Sequence, residues 1–130
     1  MRAIIIDATA REIREVEIEG KLEDLQKAVG GYIEWATELD NGDNVYVDEE
    51  GLLKGYQCFF DIGAHQPFAG NAIVVNRDED GETAAARSDV EEIRGKVKFM
   101  TMPEARQRAR EMERARIKDV GGDALSGNPG

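Results

Sequence analysis

The sequence KLEDLQKAVGGYIEW, from Lys21 to Trp35, is the most informative stretch of the chain, because its pattern predicts a helix, the end of that helix and the start of a strand. Leu22, Leu25 and Val29 recur at spacings of three and four residues, which places them on one helical face. Two glycines at 30–31 follow, and glycine readily adopts the left-handed conformation that ends a helix. The aromatic and β-branched residues after them favour a strand. The segment therefore predicts a helix that turns directly into a strand.

Strand patterns flank this segment on both sides. They predict two hairpins, which are Arg2–Thr9 with Arg11–Glu19 and Tyr32–Leu39 with Asn44–Val47. The first hairpin turns at Ala8–Arg11. The second turns at Asp40–Asp43, where Asn, Asp and Gly tolerate left-handed backbone. The same residues offer clustered oxygens, but their spacing does not match the EF-hand loop, so we predict a turn and no calcium site.

Leu52–Phe68 is the least regular part of the chain and contains its only cysteine and its only histidine, Cys58 and His65. A continuous loop of this length is uncommon in a small domain. We predict a short helix at Tyr56–Phe60 and a loop in the remainder. The next pattern, Gly70–Asn76, predicts a strand.

Two helices are predicted near the C-terminus. Before them, Glu82–Arg87 is expected to pair with the strand at Gly70–Asn76. The first helix, Ser88–Lys98, begins with Ser88 and Glu91 in capping-box spacing. The second begins with a further capping box, Thr101 with Glu104, and runs to about Lys118.

The chain is therefore predicted to be an α+β protein. A small, mostly antiparallel sheet with two packing helices forms a domain at 1–100. An arginine-rich helix follows at 101–118 and a disordered tail at 119–130. The helix at 101–118 has a thin apolar stripe, so we expect it to project from the domain or to mediate self-association of two copies.

Composition and charge exclude several classes of protein. No run approaches the roughly 18 apolar residues of a membrane-spanning helix, and no signal peptide is recognisable, so we expect no membrane association and a cytoplasmic location. One cysteine excludes an intramolecular disulfide. The net charge is −10, and residues 1–50 contain 14 acidic residues against 5 lysines and arginines. This acidic front half favours basic partners and makes direct nucleic-acid binding unfavourable.

Few residues could support catalysis or bind a cofactor. Cys58 with His65, and Asp61 as an orienting group, is the one combination that suggests nucleophilic catalysis, but a lone cysteine is more often a buried apolar residue. His65 with Asp61 provides too few ligands for a metal. The sequence contains neither the dinucleotide-binding glycine motif nor the P-loop. We predict no enzymatic activity, no cofactor and no metal.

Three segments in this order resemble a known family. They are LEDLQKAVGGYIE (Leu22–Glu34), DEEGLLKG (Asp48–Gly55) and GNAIVVNRDEDGE (Gly70–Glu82). The chain from Arg2 to Phe99 resembles the domain-of-unknown-function family 3846, whose members occur in phages, plasmids and bacterial genomes. The resemblance implies a small α+β domain carried by mobile elements and brings no catalytic residues. Family members usually follow the acidic turn with Leu-Pro and an Asn, whereas this chain has GYQCFFDIGAHQPF (Gly55–Phe68).

These observations leave three hypotheses for the function, of which an enzyme built on Cys58 and His65 ranks last. In the first, the protein is an acidic accessory protein of a phage or mobile element, located in the host cytoplasm, that binds and in one version inhibits a host macromolecule. The partner is then a protein, with a basic nucleic-acid-binding protein as one candidate. In the second, Tyr56–Phe68 forms a pocket for a nucleotide-like ligand, with Lys54 or Arg77 at its phosphate. The candidate binding residues are aromatic: Tyr32, Trp35, Tyr56, Phe59, Phe60, His65 and Phe68.

Overall fold

The computed structural model describes the backbone of residues 1–127 and the side chains of residues 1–117. The strands are β1 Arg2–Asp7, β2 Glu12–Glu17, β3 Ile33–Glu38, β4 Asn44–Asp48, β5 Cys58–Asp61, β6 Phe68–Ala69, β7 Ala72–Arg77, β8 Thr83–Ala84 and β9 Lys98–Thr101. The helices are α1 Leu22–Val29, α2 Val90–Lys96 and α3 Met102–Gly127. The predicted α+β class is confirmed.

The strands form two antiparallel sheets. The large sheet has the order β2-β1-β7-β4-β3, and the short β8 extends it by pairing with β7. The small sheet has the order β6-β5-β9. Both predicted hairpins, β1 with β2 and β3 with β4, are present.

The helices and sheets are stacked in layers, since side chains alternate between the two faces of each strand. One face of the large sheet packs against Leu25 and Val29 of α1. The opposite face packs against the small sheet, where Phe60 is fully buried, and against Ile93 of α2. The outer face of the small sheet packs against α3 through Ala105. β3 therefore lies at one edge of a layered core.

The helix-to-strand reversal forms as the sequence predicts. Gly30 has the left-handed conformation, with φ 86°, and its N–H donates to the carbonyl of Gln26 at 2.8 Å. Left-handed backbone is unfavourable for residues with a Cβ, so a glycine is required here. α1 consequently ends at Val29, and the chain turns into the edge strand β3.

The prediction of a helix at Tyr56–Phe60 is wrong, because Cys58–Asp61 forms β5. Phe59 packs towards α3 and Phe60 towards the large sheet. Both faces of this strand are buried, so the apolar–polar alternation that reveals a strand is lost. Leu52–Phe68 is accordingly a turn, a strand and a shorter loop.

The predicted elements after Gly70 need smaller corrections. Only Thr83–Ala84 pairs with β7, because the following Ala86 N–H donates to the Arg2 carbonyl. The capping box of α2 is Asp89 with Glu92, one residue later than predicted. The predicted cap, Ser88, is fully buried, and its N–H donates to Asp43. The helix stops before β9, a strand that we did not predict.

The capping box that begins α3 is confirmed. Thr101 N–H donates to Glu104 at 2.9 Å, and Glu104 N–H donates to the Thr101 hydroxyl at 3.4 Å. The helical backbone is described to Gly127, beyond the predicted end. The predicted disordered tail at 119–130 falls on residues whose side chains, and at 128–130 also the backbone, lie outside the description. Among the helices described, none is long and apolar enough to cross a membrane.

Candidate functional site

A buried carboxylate holds the turn that follows β4. The Asp48 side chain is completely buried. Its Oδ2 accepts hydrogen bonds from Lys54 Nζ at 2.7 Å and from the Tyr56 hydroxyl at 2.9 Å, and its Oδ1 accepts one from Glu50 N–H at 2.9 Å. Lys54 also donates to the Gly30 carbonyl at 3.1 Å. The turn is therefore fixed to both the large sheet and the end of α1.

Two glycines allow the chain to pack this closely around Asp48. A Cβ at Gly31 would lie 2.8 Å from both Asp48 Oδ1 and Lys54 Nζ. A Cβ at Gly70 would lie 2.9 Å from the Tyr56 ring, and Gly70 also has a φ of 79°. Such separations are well inside normal carbon contacts. The second glycine of the GG pair is therefore explained by space, whereas the first is explained by backbone conformation.

Asp48, Lys54 and Tyr56 form what we call the Asp48 cluster. Its electrostatics favour a charged carboxylate beside a neutral phenol. Burial raises the pKa of Asp48, but the hydrogen bonds from Lys54, Glu50 and Tyr56 outweigh it and hold the pKa below its usual range. Burial and the hydrogen bond to Asp48 raise the pKa of Tyr56. The hydrogen bond to Asp48 raises the pKa of Lys54. At neutral pH the cluster is thus an ion pair with a phenol donor.

The turn held by Asp48 forms one wall of a cleft of about 300 Å³ at the edge of the large sheet. The other walls are β3 and the loop at 65–67. We call this feature the β3-edge cleft, and its lining residues are Glu34, Trp35, Ala36, Val47, Asp48, Glu49, Gly51, Leu52, Leu53, His65, Gln66, Pro67, Phe68 and Ala69.

The rim of the β3-edge cleft carries three large apolar side chains that face solvent. Trp35 is 56% exposed, Leu52 is 70% exposed and Leu53 is 88% exposed. Isolated exposed apolar residues are ordinary, but a group around a concavity is typical of a binding surface. The Trp35 indole N–H donates to Asn44 Oδ1 at 3.0 Å, which fixes the ring.

The charge of the β3-edge cleft is negative. Glu34 and Glu49 are exposed, and neither forms an ion pair with a described residue. None of the described lining residues is a lysine or an arginine. The cleft therefore suits a group that is cationic and partly apolar.

A second concavity, which we call the α3 groove, adjoins the first. Its volume is about 220 Å³, and its lining residues are Leu52, Tyr56, Phe59, Gln66, Pro67, Met102, Ala105, Arg106 and Ala109. Leu52, Gln66 and Pro67 line both features, so they form a ridge between them. α3 is held here by Arg108, whose Nε lies 3.0 Å from Asp61 Oδ2.

Comparison with known proteins identifies the family. Residues 1–101 match the family model described as Domain of unknown function (DUF3846). The chain belongs to the DUF3846 family. No curated protein and no solved structure matches it significantly. The DUF3846 region contains both sheets and ends at Thr101, the last residue of β9, so α3 follows the matched region.

Within this DUF3846 domain, the predicted aromatic residues are divided among several places. Trp35, His65 and Phe68 line the β3-edge cleft, and His65 packs edge-on against Phe68 with ring centroids 5.7 Å apart. Tyr56 and Phe59 line the α3 groove.

The remaining two predicted aromatic residues lie outside both features. Tyr32 is exposed on the far side of the Asp48 cluster, next to Lys54. Phe60 is fully buried between the sheets, so it contributes to packing rather than to a surface.

The sequence analysis did not identify the residues that make the surface of the β3-edge cleft apolar and acidic. These are Leu52 and Leu53, together with Glu34 and Glu49. The available signal was the position of two leucines directly after Asp-Glu-Glu-Gly, since apolar residues within a polar turn are often exposed.

The residues considered for catalysis do not meet in the DUF3846 domain. Cys58 lines a cleft near Lys27, whereas His65 lines the β3-edge cleft. Asp61 is occupied by Arg108 and by the N–H of Gly63. Among the residues described, no group of three His, Cys, Asp or Glu side chains is arranged to hold a metal.

The two cations considered for a nucleotide phosphate are engaged within the domain. Lys54 is bound to Asp48, as described above. Arg77 Nε donates to the Tyr46 hydroxyl at 2.9 Å, and the guanidinium lies over the Tyr46 ring. A phosphate would have to compete with these contacts.

Proposed function

We propose that this protein is a non-enzymatic binding module whose β3-edge cleft docks a basic segment of a partner protein. The observation that carries the proposal is the combination of exposed apolar side chains with exposed, unneutralised carboxylates around one concavity. Trp35, Leu52 and Leu53 supply the apolar contacts, and Glu34 and Glu49 supply the charge.

The apolar rim can supply a useful part of the binding free energy. Full burial of a leucine or a comparable side chain contributes about 1.5–3 kcal/mol. Tryptophan is also among the residues that most often dominate an interface. Because Leu53 is 88% exposed, nearly all of its surface is available to a partner.

The negative charge selects the partner and speeds the encounter. The protein has a net charge of −10, so it attracts a basic surface and repels an acidic one. For an accessory protein of a mobile element, the partner is a host macromolecule, and a basic nucleic-acid-binding protein is the candidate that best complements the charge. Occupation of its basic surface would inhibit it, and duplex DNA should then compete with the protein for that partner.

A direct test compares two labelled nonapeptides by fluorescence anisotropy at low and high salt. One alternates lysine and valine, and the other alternates glutamate and valine. We expect the lysine peptide to bind at least tenfold more tightly at low salt and to lose affinity as salt screens the charges. Equal affinity for the two peptides would overturn the proposal.

Matched variants assign the binding to the cleft. Leu53→Ser and Glu34→Gln should each weaken binding of the lysine peptide several-fold, whereas Glu79→Gln, at an exposed turn outside the cleft, should leave it unchanged. A loss of affinity that is the same for Glu34→Gln and Glu79→Gln would show that only net charge matters. The cleft would then have no specific role.

A further inference from the structure

We propose that β3 binds the partner segment as an added strand of the large sheet, so that main-chain hydrogen bonds fix the segment beside the β3-edge cleft. This inference rests on the proposed function and specifies how the partner is held. Strand addition at an exposed sheet edge is an established mode of peptide recognition, in which the main chain supplies affinity and side-chain pockets supply specificity.

Among the described residues, β3 is one of the two edge strands of the large sheet. The strand order ends at β3, whose one strand neighbour is β4. At the opposite edge, β2 pairs with β1, and α2 packs on one face of the sheet there. The β3 edge is the one that borders the β3-edge cleft. Sheet edges that are neither covered nor paired present N–H and C=O groups to any extended segment that approaches.

The hydrogen bonds at the two ends of β3 show which residues offer these groups. Glu49 N–H donates to the Tyr32 carbonyl, and Leu39 N–H donates to the Asp43 carbonyl. In an antiparallel pair, residues alternate between those bonded to the neighbour and those directed away from it, and the bulge between Trp35 and Thr37 shifts this alternation by one. Main-chain groups of Ile33, Trp35 and Glu38 therefore face away from β4.

Charge complementarity identifies the occupant as a basic partner rather than a second copy of this chain. Glu34 and Glu38 are both exposed on β3. Pairing of two β3 strands would bring two negatively charged edges together, which is unfavourable. Trp35 and Glu34 lie on opposite faces of β3, since Trp35 pairs with Tyr46 and Glu34 with Val47. A partner strand that alternates basic and apolar residues would therefore place basic side chains beside Glu34 and apolar side chains beside Trp35. β3 has six residues, so it can pair with about six residues of the partner.

Amide hydrogen exchange measured by NMR tests the inference with the lysine–valine nonapeptide as the probe. At saturating peptide, exchange of the Ile33, Trp35 and Glu38 amides should slow at least tenfold, while amides of β2 should not change. If the peptide binds without protecting these three amides, the strand-addition inference fails and the proposed function survives. If the peptide does not bind at all, both fail.

A matched pair of variants provides a second readout. Glu38→Pro removes an outward-facing N–H, and proline is tolerated on an edge strand when its missing N–H faces solvent. Glu38→Thr removes the same charge and retains the N–H. We expect Glu38→Pro to bind the lysine peptide at least fivefold more weakly than Glu38→Thr. Equal affinities of two folded variants would overturn the inference, and if Glu38→Pro does not fold, the exchange measurement on the unaltered protein decides.

Discussion

Replacement of Asp48 by asparagine should lower the free energy of unfolding by about 2–3 kcal/mol, because this buried carboxylate accepts three hydrogen bonds that an amide cannot all accept. An asparagine side chain has one oxygen. In one orientation its NH₂ group faces the Glu50 N–H. In the other it faces the Lys54 ammonium and the Tyr56 hydroxyl, of which only the hydroxyl can rotate to accept. The substitution thus removes a charge and leaves one partly buried donor, Glu50 N–H or Lys54, without its acceptor.

The magnitude follows from two of the three bonds. A hydrogen bond to a charged group contributes about 1 kcal/mol more than a neutral one, and an unmatched buried donor costs about 1–3 kcal/mol. The Lys54 side chain is 35% exposed, so water can replace its partner, and the figure counts only the Tyr56 and Glu50 bonds. For a chain of this size the loss corresponds to a decrease in Tm of about 10 °C.

The assay is thermal unfolding of both proteins across a pH series. The folded-state pKa of Asp48 is lowered, so its stabilising effect is present above the ordinary carboxyl pKa and is lost as the pH falls through the folded-state pKa. The difference in Tm should therefore be largest near neutral pH and should shrink in acid. Glu49→Gln, which removes the neighbouring exposed charge, should change Tm little. A Tm difference for Asp48→Asn that is small at neutral pH, or independent of pH, would show that the Asp48 carboxylate does not stabilise the turn through these hydrogen bonds.

Three further predictions concern the surroundings of the two concavities. Gly70→Ala should destabilise the protein by about 2–4 kcal/mol in denaturant unfolding, because the new Cβ combines a positive φ with a clash against the Tyr56 ring. The control Gly55→Ala has a φ of 71° but open space around the new Cβ, so it should cost about 1 kcal/mol. Arg108→Gln removes the ion pair to β5 and should speed amide exchange in the first turns of α3 while the sheets remain protected; unchanged exchange would show that apolar contacts alone hold the helix. Leu53→Ser should leave Tm within about 1 °C of the original value, because the side chain is exposed, and a large loss of stability would mean that Leu53 is structural.

Much of the fold could be predicted because its signals are local. The end of α1 at Gly30 and the turn at Asp40–Asp43 depend on residues that are adjacent in sequence. The small sheet could not be predicted in the same way. β5 is buried on both faces, and β9 has only four residues between two helices, so neither strand has a recognisable period.

The candidate site was predicted only in part, for a related reason. Aromatic residues are common in binding sites, and selecting them from the sequence identifies Trp35 and His65 as candidates. Leu52 and Leu53 resemble core residues. Their exposure follows from how the turn is held, by Asp48 and by the contact of Lys54 with the distant Gly30 carbonyl. Exposure of this kind depends on tertiary structure and is not encoded in local spacing.

The fluorescence emission of Trp35, the only tryptophan in the chain, reports directly on docking at the β3-edge cleft, since this side chain is 56% exposed on its rim. Titration with the lysine–valine nonapeptide should shift the emission to shorter wavelength and reduce quenching by acrylamide, and added salt should reverse both changes. Unchanged emission at peptide concentrations where anisotropy reports saturation would contradict docking at this cleft. The same response to the glutamate–valine peptide would contradict it as well.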